Sequence, residues 1–402
     1  MSDIKLAEGV YWVGAVDWDI PASSGYTGTS YNAYLIIDDK VTLVDGVKYS
    51  HQDQLWKNIR KIIDPEKIDY MIVNHVEPDH SSSMVEIMNT VKPKKLFCTS
   101  PGKKALVAHY HHEDWPYEVV KSGDKISLGA RTVHFITTRM LHWPDSMFSF
   151  LEEDGILFSN DAFGQHLATN ERFDDECDLD FVMKGAKFFY ANNLNLLSPL
   201  IKKLLSKVDG MELKLNMIAA DHGLIWRTNP QKILEAYYGW SRQEAGKEAL
   251  VVYDTKWKST EMMAKAIFEG LEEKGIKATL CCLKDTHRAD IMEKLLTSST
   301  LVLGSPTINN GVIPSMAAFL QHITGLKPRN KIGAAFGSHG WGGESVRQIC
   351  DTFDKLKFNR LDDGMRIVFV PDENQLQECR EYGHKIAEAM AAKEAETETE
   401  AA

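Results

Sequence analysis

Short apolar runs broken by turn residues, rather than long amphipathic stretches, dominate the first half of the chain. Residues 10–13, 31–37 and 41–44 are apolar and separated by Gly, Asp and Ser, the pattern of strands in a buried sheet. A helical pattern over 55–63 leads into the apolar run 70–73, read as a buried strand. Residues 84–91 then read as a helix whose leading serines are candidate caps. Further strands are expected at 96–98, 132–136, 147–151, 155–158 and 217–219, with helix from about 179 to 208. Alternation of β-rich halves with helices predicts a four-layer αββα sandwich.

The pattern changes near residue 245. The stretch 240–248 is polar and carries a breaker, Gly246, which places a boundary between domains 1–245 and 246–402. Beyond it, strands at 249–253, 278–282, 300–303, 332–336 and 367–370 alternate regularly with helical stretches. That is an α/β doubly wound parallel sheet, whose ligand is expected at the carboxyl ends of its strands. Residues 393–402 read as a short disordered tail.

Composition narrows the function classes. At 402 residues and 44% apolar content the chain can build two or three cores. A formal net charge of -11 argues against nucleic acid and anionic membranes as default partners. No apolar run approaches the ~18 residues of a spanning helix. The start, Met1-Ser2-Asp3-Ile4-Lys5, lacks the plan of a signal peptide, so a cytoplasmic location is expected. The cysteines (Cys98, Cys177, Cys281, Cys282, Cys350, Cys379) form no Cys-x-x-Cys pair and are expected to be reduced. The chain therefore has no iron–sulfur or rubredoxin-type centre through which to take up single electrons.

Candidate chemistry gathers where strands end. His75-Val76-Glu77-Pro78-Asp79-His80 follows the strand at 70–73 and offers four residues of metal-ligating type. His142, Asp161 and His222 lie in later loops, each beside a strand. One such histidine is ordinarily structural or exposed, but the whole set points to a metal site. Four imidazoles and three carboxylates make a nitrogen and oxygen donor set. The run resembles that of the metallo-β-lactamase-like fold, His-x-His-x-Asp-His, with Glu77 replacing the second histidine. The added anionic oxygen favours a harder, redox-active ion over zinc; iron is expected, although manganese accepts similar ligands. Asp145 and Asp221 are candidates to orient an imidazole, with turn roles equally open. Tyr26 could line a substrate pocket and donate a hydrogen bond there, a buried structural tyrosine being the more ordinary reading.

The second domain opens with a strand running into a hydroxyl-rich loop: Thr255, Lys256, Trp257, Lys258, Ser259 and Thr260. Backbone N–H groups and hydroxyls there can cradle a phosphate at a helix N-terminus. Two further loops follow the third and fourth strands. One holds Pro306, Thr307, Ile308, Asn309 and Asn310, the other Ser338, His339, Gly340, Trp341 and Gly342; both suit an isoalloxazine ring. The three loops look like those of flavodoxin, which implies FMN. Flavodoxin loops commonly carry Gly where Lys258 stands. No strand–Gly-x-Gly-x-x-Gly–helix unit marks a nicotinamide dinucleotide domain.

A metallo-β-lactamase-like domain with the Glu-containing run, followed directly by a flavodoxin-like domain, resembles the flavodiiron proteins. The resemblance covers about residues 4–392 and fits the short class that ends after the flavodoxin domain. It implies one iron on His75, Glu77, His142 and Asp161, and another on Asp79, His80, Asp161 and His222. The irons would be bridged by Asp161 and an oxo or hydroxo group. It further implies a rubredoxin-like external donor and a head-to-tail homodimer or a dimer of such dimers, with Trp341 and Glu77 as candidates for the contact; Trp341 could equally be only a flavin-stacking ring. Two irons and one FMN store four electrons, enough to take dioxygen to two waters; two suffice to couple two molecules of nitric oxide into nitrous oxide. Dioxygen reduction is the expected activity, with nitric oxide reduction as the alternative. A zinc hydrolase fused to a flavodoxin, or an electron carrier with an inert metal domain, are the rivals.

Overall fold

A computed structural model describes residues 3–20, 28–211, 213–244 and 246–401. The chain divides into two compact units, one of residues 1–189 and 199–238, the other of 190–198 and 239–402. The short excursion 190–198 lies inside the stretch read from sequence as one long helix. It is a π turn (Tyr190–Leu194) and a 3-10 turn (Asn195–Leu197) between the helices Leu179–Phe189 and Ser198–Asp209.

The first unit holds two large sheets and, among the described residues, a two-stranded one of Ala15–Asp17 with Thr29–Tyr31. The larger runs Ile4–Ala7, Val10–Trp12, Tyr34–Ile36, Thr42–Val44, Tyr70–Ile72, Lys95–Cys98, Tyr117–Val119 in spatial order. The smaller runs Lys125–Ser127, Thr132–Thr137, Met147–Leu151, Ile156–Phe158, Met217–Ala219. Side chains alternate between two cores, as the period of a strand requires. Tyr34, Ile36, Val44, Ile72 and Phe97 meet Val133, Phe135, Leu151 and Phe158 between the sheets. Leu35, Leu43, Met71 and Leu96 face the other way, onto Leu55, Trp56 and Ile59 of the helix Gln52–Ile62 and Ile87 and Met88 of the helix Met84–Val91. Ser83 precedes that second helix without capping it; its hydroxyl instead donates to the Val47 carbonyl and accepts from the Val47 N–H.

The second unit holds one parallel sheet in the order Lys277–Cys282, Glu248–Tyr253, Thr300–Gly304, Ile332–His339. Asn359–Arg360 and Met365–Val368 both pair with the last of these strands. In chain order the first strand, Glu248–Tyr253, neighbours the third, Thr300–Gly304, while the second, Lys277–Cys282, lies on its other side, so the connections diverge at the carboxyl ends, where such sheets bind ligands. The tail read as disordered is helical: Glu373–Ala401 forms one helix, and Cys379, Tyr382, Ile386 and Met390 anchor its first half in the core. The anchoring residues recur every three or four positions, and the helix continues past them into the acidic end.

Candidate metal and flavin sites

The first site lies at the carboxyl ends of parallel strands from both sheets. His75 follows Tyr70–Ile72, Asp161 follows Ile156–Phe158, and His222 follows Met217–Ala219. Pro78 occupies the first turn of a short helix, Pro78–Ser81, with Glu77 just before it. Its fixed φ suits that position. The chain turns there, so His75 and Glu77 serve one donor set while Asp79 and His80 serve another. Gly223 follows His222 at φ 78, and a Cβ there would lie 2.2 Å from Gln165 Oε1; only glycine fits.

In the first set, His75 Nε2 lies 3.3 Å from both Glu77 Oε2 and Asp161 Oδ2. His142 Nε2 lies 3.1 Å from Glu77 Oε2 and 3.0 Å from Asp161 Oδ2. In the second, Asp161 Oδ1 is 3.1 Å from both His80 Nε2 and His222 Nε2. Asp79 lies 3.3 Å from His222 and 3.5 Å from His80. Spacings of roughly 3 Å are the edges of a coordination shell with ~2.1 Å bonds. Asp161 thus turns one oxygen toward each set. Asp79 Oδ1 and Asp161 Oδ2 are buried and accept no hydrogen bond among the described residues. Unsatisfied buried carboxylate oxygens are costly unless a cation takes them, so the donor set fits metal.

Electrostatics agree. Burial opposes charge on every member, yet opposite charges prevail. His80, beside Asp79 and Asp161, is pushed up to about 9, and His142, beside Asp161 and Glu77, also to about 9. His75 and His222 rise well above the ordinary imidazole value for the same reason. Burial is likewise outweighed at Glu77, which His142 and His75 hold down at about 2; Asp79 and Asp161 also fall below the usual carboxylate range. Protons hold the imidazoles where a metal would displace them.

Outer contacts fix the rings. Asp145 Oδ2 accepts from His75 Nδ1 at 3.0 Å and from the Val76 N–H at 2.8 Å. Asp145 therefore orients His75 rather than its sequence neighbour His142. His222 Nδ1 donates to the Ser30 carbonyl at 2.7 Å, leaving Nε2 for the site. Asp221 approaches His80 Nδ1 at 3.7 Å, too far for a hydrogen bond. Burial and the nearby Asp45 raise Asp221 well above the carboxylate range. His166, unmarked by any sequence pattern, packs tilted against His222 with ring centroids 4.3 Å apart and planes at 54°, and bonds Thr29 Oγ1 at 2.8 Å. Tyr26 falls outside the described residues.

The second site is a cavity of about 600 Å3 at the carboxyl ends of the parallel sheet. Thr255, Lys256, Trp257 and Ser259 line it from the first loop, residues 306–310 from the second and 338–342 from the third. Thr255 Oγ1 is buried without a partner among the described residues, as a phosphate-binding hydroxyl would be. Two expected residues stand elsewhere. Thr260 is buried with its hydroxyl 2.9 Å from Ser338 Oγ. Lys258 is not on the wall; it precedes the helix Ser259–Glu273 at φ 69, the left-handed conformation that explains a glycine in flavodoxin loops. Phe369 and Val370 line the cavity unexpectedly. Sequence reads 367–370 as strand, but the strand ends at Val368 and Phe369 turns out at φ 60.

Comparison with known proteins identifies both domains. The family model for the ODP family beta lactamase matches residues 29–223, and that for flavodoxin matches 251–383. A nitric oxide reductase of Moorella thermoacetica is 42% identical, with 96% of this chain and 99% of the relative covered. A rubredoxin-oxygen oxidoreductase of Megalodesulfovibrio gigas is 38% identical over 98% of this chain and 99% of its own. Among solved structures, the flavodiiron protein from Giardia intestinalis superposes with a TM-score of 0.94 at 33% identity, covering 98% of each chain. Among the described residues no helix is long and apolar enough to cross a membrane. With a metallo-β-lactamase-like domain carrying two donor sets, followed in sequence by a flavodoxin domain, this chain belongs to the flavodiiron family of oxidoreductases.

Proposed function

We propose that the protein reduces dioxygen to water at a diiron site, using electrons that an external rubredoxin-like protein delivers through FMN. One observation carries this reading: Asp161 offers Oδ2 to one four-residue donor set and Oδ1 to another, the arrangement of a bridging carboxylate. His75, Glu77 and His142 complete the first iron's ligands; Asp79, His80 and His222 complete the second's. When bound, the irons and FMN together supply four electrons, the number that converts dioxygen into two waters. Asp145 keeps His75 in the tautomer that presents Nε2, and the Ser30 carbonyl does the same for His222.

Thr255, Ser259 and the N-terminus of the helix Ser259–Glu273 hold the FMN phosphate, and the loops 306–310 and 338–342 hold its ring. Trp341 is 88% exposed. In a head-to-tail dimer that ring and Glu77 are candidates for the contact between protomers. Nitric oxide reduction is the second reading, favoured by the name of the Moorella relative. Metal analysis, with gas-electrode traces of the reduced holoprotein, tests the proposal. Two irons per chain and rapid dioxygen uptake are expected. Zinc with ester or lactam turnover would overturn it, and nitric oxide uptake much faster than dioxygen uptake would exchange the two readings.

A further inference from the structure

Apart from both sites, the first unit contains a cavity of about 460 Å3 whose wall is unusual for so acidic a chain. Arg172 lines it and is only 5% exposed. Arginine is almost never buried unpaired, yet no carboxylate lies within 4.0 Å of this guanidinium among the described residues. Its bonds go from Nη1 and Nη2 to the hydroxyl and carbonyl oxygens of Thr169, and its face rests 4.9 Å from the Trp12 ring centroid. Among the described residues Nε–H has no protein acceptor, and it is not sealed from solvent. Burial lowers Arg172 to about 10, and the carboxylates of Glu171 and Glu176 offset only part of that effect.

The rest of the wall supplies what an occupant would need. Lys57 and Lys61 lie one turn apart on the helix Gln52–Ile62, exposed and without ion pairs among the described residues. Trp18, 54% exposed, offers an indole face, while Asp3 is the one carboxylate among the described lining residues. A guanidinium clamped only for structure needs neither the lysines nor an open indole beside it. We propose that this cavity binds a planar aromatic anion, its negative group beside Arg172, Lys57 and Lys61 and its ring against Trp18. Charge-assisted hydrogen bonds and stacking would act together there.

The test is equilibrium dialysis of the metal- and FMN-loaded protein against naphthalene-2-sulfonate, with neutral 2-naphthalenemethanol and inorganic sulfate as comparison probes. Saturable binding of one sulfonate per chain is expected, with each comparison probe at least about tenfold weaker. Trp18→Ala and the double change Lys57→Ala, Lys61→Ala alter exposed positions and leave the fold intact, as circular dichroism can verify. Each should weaken the sulfonate about tenfold while gas reduction continues. Absence of saturable binding, equal binding of the neutral probe, or affinity unchanged in both variants overturns the proposal.

Discussion

The metal and flavin sites solve opposite problems with the same device, the carboxyl end of a strand. The metal site is made of side chains. His75, His80, Asp161 and His222 are buried, mutually charged and held by Asp145 and Ser30 from behind. The flavin site is made largely of loops, with Trp257, Trp341, Phe369 and Val370 60% exposed or more. A multivalent cation demands fixed anionic donors, and any error there leaves a buried charge. A large flat ring demands shape, and tolerates different side chains so long as the backbone turns correctly. Single substitutions should therefore be severe at the first site and mild at the second.

The largest expected effect is at the shared carboxylate. Asp161→Ala should release both metals and cut gas reduction by more than about 100-fold, beyond the loss typical of an outer contact. Iron content and electrode rate measure it; retention of one full metal per chain would mean two independent sites. Asp145→Asn removes only the group behind His75. Metal affinity should fall about 10- to 100-fold in chelator competition, with FMN content unchanged.

The pH dependence of the metal-free protein sharpens the contrast. His80 and His142 rise from 6.5 to about 9 on folding, so their contribution is complete below pH 6.5 and is lost as pH rises through about 9. Glu77, held at about 2 against an ordinary 4.5, contributes above pH 4.5 and loses that contribution as pH falls toward 2. The Tm of the metal-free first unit should decline between pH 6.5 and 9, and metal should flatten that slope. A metal-free Tm flat over this range would mean that the imidazoles carry no paired protons. The smallest effect is expected in the flavin loop. Lys258→Gly, at φ 69, should stabilise the second unit by about 0.5–1 kcal/mol in denaturant titrations and leave FMN bound. A loss of FMN would show that the lysine charge, not the turn, matters.

The same contrast explains what could be read in advance. The clustered donor residues are legible because their chemistry is carried by residue type: a His, Glu, Asp, His run beside a strand points to a metal, and the fold gathers these side chains into two sets. The sheets were legible because Leu35, Leu43 and Met71 alternate with Tyr34, Val44 and Ile72. Contacts made by backbone or by distant side chains left no trace. Nothing at Ser30 announces that its carbonyl meets His222, and nothing at Asp145, three positions after His142, announces that it reaches His75, 70 positions away. Phe369 was hidden in an apolar run that looks like uninterrupted strand, and the final helix was masked by an acidic, repetitive end that resembles a solvated tail.

Asp161 has one further consequence. A carboxylate split between two donor sets cannot satisfy either alone: until a cation arrives, Oδ2 meets only the imidazoles of His75 and His142. The first ion to enter would immobilise that side chain and present its other oxygen already aimed at the neighbouring position. Loading should therefore be cooperative, so that protein with a single ion stays scarce at any supply of iron.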